Sequence, residues 1–78
     1  MAARSQSHAA LGQAVREQRK RQGLTQEALA RASGLPATYI SDVERGVRNP
    51  SWSTIVTLAQ ALGVKPSQLA QRAEKGGG

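Results

Sequence analysis

Leu24-Thr25-Gln26-Glu27-Ala28-Leu29-Ala30-Arg31-Ala32-Ser33-Gly34-Leu35, followed at once by Pro36-Ala37-Thr38-Tyr39-Ile40-Ser41-Asp42-Val43-Glu44-Arg45-Gly46, reads as two short helices about a glycine turn. Thr25 suits an N-cap, and Glu27 falls in the first turn, where the helix dipole favours negative charge. Leu29 and Ala32 share one face of the first helix of the pair, and Ile40 and Val43 lie three apart on the second. Gly34 stands where the chain must turn sharply, and glycine reaches positive φ without steric penalty. The polar face of the second helix has no apolar surface to cover. Two helices locked in this way can carry one of them, as a rigid rod, into the DNA major groove.

Working outward, three more helical segments complete the pattern. Leu11, Ala14 and Val15 form an apolar stripe in a segment from about Ser7 to Gln22, which ends at Gly23. The second helix of the central pair spans about Pro36 to Arg45 and stops at Gly46, and Val47-Arg48-Asn49-Pro50 is a connection. Ser51 caps a fourth helix with Trp52, Ile55, Val56, Ala59 and Leu62 on its apolar side. Gly63 ends it, and Pro66 opens a fifth helix anchored by Leu69. Residues 1–6 and 75–78 have neither pattern nor apolar content and are expected to be disordered, which leaves a folded domain at 7–74. No internal repeat is present.

Composition bounds the answer further. A chain of 78 residues holds one small domain. Without cysteine it has neither disulfides nor thiolate metal sites. Tyr39 and Trp52 are its only aromatics, so Leu, Ile, Val and Ala must build the core, and the expected class is all-α. Such a core is marginal alone, and oligomerisation would add stability. Eleven basic against five acidic residues give a net charge of +6, which favours polyanions, either nucleic acid or an anionic membrane surface. No apolar run approaches the roughly 20 residues of a bilayer span, and the charged residues are not segregated onto one long amphipathic helix, so no membrane partner is expected. No hydrophobic segment follows Arg4 as it would in a secretion signal, and a cytoplasmic protein is expected.

Three blocks in register carry a family resemblance. Gly23-Leu24-Thr25-Gln26-Glu27-x-Leu29-Ala30 comes first, then Tyr39-Ile40-Ser41-x-x-Glu44-Arg45-Gly46-x-Arg48-Asn49-Pro50-Ser51, then Leu58-Ala59-x-Ala61-Leu62-Gly63-Val64. Together they resemble the Cro/C1-type (XRE-like) helix-turn-helix regulators, across roughly Leu11 to Leu69. The run from Ala37 to Ser41 with Glu44-Arg45 and Arg48-Asn49 also resembles the controller proteins of restriction–modification systems. The likeness implies a compact five-helix bundle of the lambda-repressor-like DNA-binding type, with the helix-turn-helix at helices 2 and 3.

It also implies residue roles. The third helix would read bases through Ala37, Thr38, Tyr39, Ser41 and Asp42. Ala37, the first outward residue after the turn, offers only a methyl, suited to thymine, and Asp42 would accept from a cytosine amino group or be oriented by a basic neighbour. A reader so poor in donors leans on backbone contacts and DNA shape. Gln26, at a helix N-terminus where free N–H groups attract anions, would anchor phosphate together with Arg45, Arg48 and Asn49. Arg19 and Glu44 would form a structural ion pair between the first and third helices.

Other residues carry less. Arg16 and Lys20 read as a solvated face, with Glu17 four residues before Arg21 as an ion-pair partner. His8 stands without a second His or a Cys, so no metal site is expected. The serines lack a His–Asp partner, so no nucleophilic enzyme is expected. Trp52 suits the core or, with Ile55, Val64 and Leu69, a homodimer interface. A dimer would read two half-sites about 34 Å apart on a symmetric operator. The expected function is a double-stranded-DNA-binding transcriptional regulator with no cofactor and no small-molecule substrate. The alternative is an antitoxin that binds a toxin and represses its own operon.

Overall fold

Side-chain caps start two of the helices as the sequence predicts. Thr25 Oγ1 accepts the Ala28 N–H and Ser51 Oγ accepts the Thr54 N–H, which satisfies one orphan donor at each N-terminus. A computed structural model describes the backbone of residues 2–77 and the side chains of residues 8–73. Its helices are α1 (Ala2–Arg21), α2 (Gln26–Ser33), α3 (Ala37–Glu44), α4 (Trp52–Leu62) and α5 (Pro66–Gly77). No described helix is long and apolar enough to cross a membrane.

Helical backbone reaches both ends of the described residues. Helix α1 begins at Ala2 rather than near Ser7, and α5 continues to Gly77, so helical backbone enters both segments expected to lack order. At the N-terminal end, alanine and straight-chain polar residues need little tertiary support to prolong a helix already nucleated by packing. Met1 and Gly78 lie outside the described residues, as do the side chains of both segments.

The core is aliphatic and takes something from every helix. Ala14 and Val15 come from α1, Leu29 from α2, Ile40 and Val43 from α3. Leu58, Ala59 and Leu62 of α4 and Leu69 of α5 close it. Ala32, expected on the inner face of α2 beside Leu29, is exposed. Helix α1 packs along α5 and against α3, while α2 lies against α3 and α4. Twenty residues at about 1.5 Å each give α1 a length of about 30 Å. That is close to the 32 Å long axis of the molecule.

Two glycines do conformational work that another residue could not. Gly34 ends α2 at φ +76°, its N–H bonded to the Ala30 carbonyl, and turns the chain into α3. Gly46 at φ +77° closes α3 with its N–H on the Val43 carbonyl, while the Val47 N–H reaches the Asp42 carbonyl. This pair of bonds is a Schellman motif, and it rigidly sets the path of the following loop.

A third glycine acts through space. Gly12 is buried where α1 crosses the C-terminal end of α3. A Cβ there would run into the Val43 carbonyl oxygen and stand 2.7 Å from that of Glu44. In an open helix Gly→Ala gains roughly 0.5–1 kcal/mol, but here the obstacle is backbone that cannot step aside. Gly12→Ala should therefore destabilise the fold, by about 1–3 kcal/mol or more as in other overpacked cores. Urea unfolding measures this, and a variant at least as stable as the parent would show that α1 and α3 do not meet at Gly12.

Candidate nucleic-acid interface

Helix α3 has two opposed faces because its apolar residues fall on one side. Ile40 and Val43 are fully buried, so Thr38, Asp42 and Arg45, spaced at four and three residues, form a stripe on the opposite side. Thr38 and Arg45 are exposed, and Asp42 and Ser41 are half-buried. Ala37, expected as the first outward residue after the turn, is half-buried at the start of the helix. Tyr39 is half-buried too, because its ring packs against the edge of the core.

The loop after α3 folds back over this helix. Val47, Arg48 and Asn49 are exposed, and Pro50 is buried and anchors the return. The Arg48 guanidinium carbon lies 4.8 Å from the centroid of the Tyr39 ring, a cation–π contact. Asp42 Oδ1 accepts from Arg45 Nη2 at 2.6 Å, and its Oδ2 stands 3.9 Å from Arg48 Nη2. Four of the predicted site residues, Tyr39, Asp42, Arg45 and Arg48, are thus in one connected group.

A second group lies beneath. Arg19 Nε and Nη2 donate to the two carboxylate oxygens of Glu44 at 2.7 and 3.0 Å, and Nη1 donates to the Leu24 carbonyl at 2.8 Å. The two side chains are only 11% and 4% exposed, and the fork geometry matches guanidinium to carboxylate. Gln26 Nε2 adds a bond to Glu44 Oε1 at 3.0 Å. The carboxylate therefore joins α1, the start of α2 and the end of α3. One amide hydrogen of Gln26 serves this junction. The second remains as a donor beside the first-turn N–H groups of α2, of which Thr25 caps only that of Ala28.

The predicted interface residues do not stay together. Leu69 is fully buried, because α5 lies along α1 and turns this leucine into the core. It cannot serve as a contact between subunits. Ile55 and Val64 are half-buried against the same core, while Trp52 is 60% exposed and so is no core residue. Glu17 also differs: it faces Arg72 of α5 at 3.7 Å rather than Arg21 one turn on. Sequence reasoning had no signal for that contact, for the Tyr39–Arg48 stack, or for the bond from Gln22 Nε2 to the Leu62 carbonyl. Each joins elements remote in sequence. Gly12 could have been suspected as a glycine inside a helix, where it needs a packing reason.

The chain and its fold have relatives among known proteins. The helix-turn-helix family model matches residues 15–69. Over 59 residues the chain is 48% identical to control protein C.BamHI of Bacillus amyloliquefaciens, a match that covers 74% of this chain and 73% of the relative. The structure is similar to that of the restriction–modification controller protein C.AhdI from Aeromonas hydrophila, with a TM-score of 0.78 at 47% identity. That likeness covers 80% of this chain and 94% of the other. The controller C.Esp1396I, crystallised as a tetramer with its natural 35 base-pair operator, gives a TM-score of 0.82 at 28% identity. Here 91% of this chain and 93% of the other are covered.

The buried junction yields a sharp expectation. Glu44→Ala removes the anion and leaves the Arg19 charge buried without a partner, which should cost about 3–5 kcal/mol. Replacing both partners with apolar residues of similar size, as in Arg19→Met with Glu44→Leu, should recover most of that loss. Chemical denaturation of the two variants compares them, and a cost below about 1 kcal/mol for Glu44→Ala would show an exposed, weakly coupled pair.

Proposed function

This chain belongs to the helix-turn-helix family of Cro/C1-type (XRE-like) regulators, and on that premise we propose a sequence-specific DNA-binding transcriptional regulator. In this reading it is a cytoplasmic, non-enzymatic protein that acts as a homodimer on a two-fold symmetric operator. Its likeness to C.BamHI and C.AhdI supports the restriction–modification controller branch. One observation carries the reading. The stripe Thr38, Asp42 and Arg45 faces solvent on a helix whose other face is locked into the core by Ile40 and Val43.

The division of labour follows from exposure and chemistry. Thr38, Ser41 and Asp42 read base edges from the outward side of α3, with Ala37 and Tyr39 at the flanks. Gln26, Arg45, Arg48 and Asn49 hold phosphates on either side and fix the register of the helix in the groove. Residues 7–74 are the DNA-binding domain. The second copy covers the apolar surface at Trp52, with Ile55 and Val64 beside it. A single recognition helix reaches few bases, and two copies about one helical turn apart double the site.

Selection of bound duplexes from a random pool should return a two-fold symmetric site, and sedimentation at tens of micromolar should show a dimer. A monomer on a single unrepeated half-site would overturn the homodimer. A chain that enriches no sequence would overturn specific binding.

Anchoring and reading also separate by mutation. Arg48→Ala should weaken binding to every duplex and reduce the slope of log affinity against log salt by up to about 0.9, the value for one phosphate contact whose arginine no protein carboxylate offsets. Thr38→Ala should weaken only the selected site, by about 1 kcal/mol for one lost hydrogen bond. An unchanged salt slope for Arg48→Ala would remove it from the phosphate contacts.

A further inference from the structure

The face assigned to DNA carries an anion of its own. Each oxygen of the Asp42 carboxylate faces a different guanidinium: Oδ1 is 2.6 Å from Arg45 and Oδ2 is 3.9 Å from Arg48. Both arginines are well exposed, 63% and 53% of their side chains, and Asp42 is less so at 31%. Arg48 is held on its other side by the Tyr39 ring. An acidic residue at the centre of a surface that meets phosphates is repelled by them. A merely solubilising charge would sit anywhere else on this chain at lower cost to binding.

We propose that Asp42 is a specificity-determining residue that stands in for phosphate in the free protein and engages the same two arginines DNA needs. The proposal rests on the DNA-binding reading above. On a duplex of arbitrary sequence, Arg45 and Arg48 exchange one anion for another, and the freed carboxylate is pressed toward the groove without a donor. Fewer counterions are then released than the number of arginines predicts, and random DNA is bound weakly. In the operator a cytosine amino group donates to the freed carboxylate, so the repulsion is relieved only at the correct base. Discrimination arises by penalising the wrong partner rather than by adding contacts to the right one.

Asp42→Asn keeps the shape and removes the charge. Its binding to a random duplex and to the selected site is compared with that of the parent between about 50 and 200 mM salt. The variant should bind the random duplex more tightly, with a slope steeper by about 0.9, the value for the single charge that the carboxylate offsets. Across that fourfold range its advantage should shrink about 3.5-fold. The ratio of operator to random affinity should fall, and selection with the variant should lose cytosine at one symmetric pair of positions. Adding Arg45→Ala to Asp42→Asn should return the slope by about 0.9.

A purely helix-stabilising role for the Asp42–Arg45 pair would change unfolding and leave the slope alone. Random-duplex affinity and slope unchanged in a folded Asp42→Asn variant, with the parent still binding its selected site, would overturn this proposal alone. So would a double variant whose slope matches that of Asp42→Asn. A parent chain that binds no duplex at low salt would overturn the DNA-binding reading and this proposal with it.

Discussion

One buried carboxylate holds the three helices that matter most in register. Glu44 accepts two bonds from Arg19 on α1 and one from Gln26 on α2, and its own backbone lies where Gly12 lets α1 approach α3. A charge this far from water is tolerable only when its lone pairs are occupied, and the arrangement supplies partners from two directions. The geometry is consequently all-or-nothing. A shift of α3 along its axis would strand both Glu44 and Arg19, whereas an apolar contact at the same place would slide at little cost. That rigidity aims the outward stripe of α3, since the helix itself has only eight residues and little stability of its own.

Apolar resources are spent unusually. Both aromatic side chains, which bury more surface than any aliphatic residue, lie outside the fully buried core. Tyr39 is a platform for Arg48, and Trp52 is largely exposed at the start of α4. The core is left to Leu, Ile, Val and Ala, with hydrogen-bonded caps and Schellman turns setting where helices end. A small domain organised in this way gains from any partner that covers Trp52. Fold stability and assembly are then coupled rather than separate properties.

Charge on the outer face is balanced locally despite the strongly basic chain. Asp42 sits between Arg45 and Arg48, and Glu17 faces Arg72 on the far side of α1. Exposed pairs of this kind contribute little to stability. Their effect is on which charges are free to meet a polyanion. Net charge sets the long-range attraction, and the local pairs decide how much of it a given duplex can use.

The helix boundaries around the central turn were legible because their causes are local. Thr25 and Ser51 cap through their own hydroxyls, and Gly34 and Gly46 turn the chain because they lack a Cβ. The buried face of α3 was legible as well, since Ile40 and Val43 recur at helical spacing. Spacing within one helix, however, says nothing about which neighbour covers it. Leu69 looked as suitable for a subunit contact as for the core until α5 was laid along α1, and Ala32 looked inward until α2 met α3 and α4 at another angle. Glu17 had a partner within one turn and took Arg72 instead, and Tyr39 met Arg48 only because the loop after Gly46 returns over α3. The caps and turns that bound α2, α3 and α4, and the buried face of α3, follow from neighbouring residues because those choices are made within a few positions. Only the tertiary structure decided which charges and rings meet, because contacts between remote elements depend on the packing angles of whole helices.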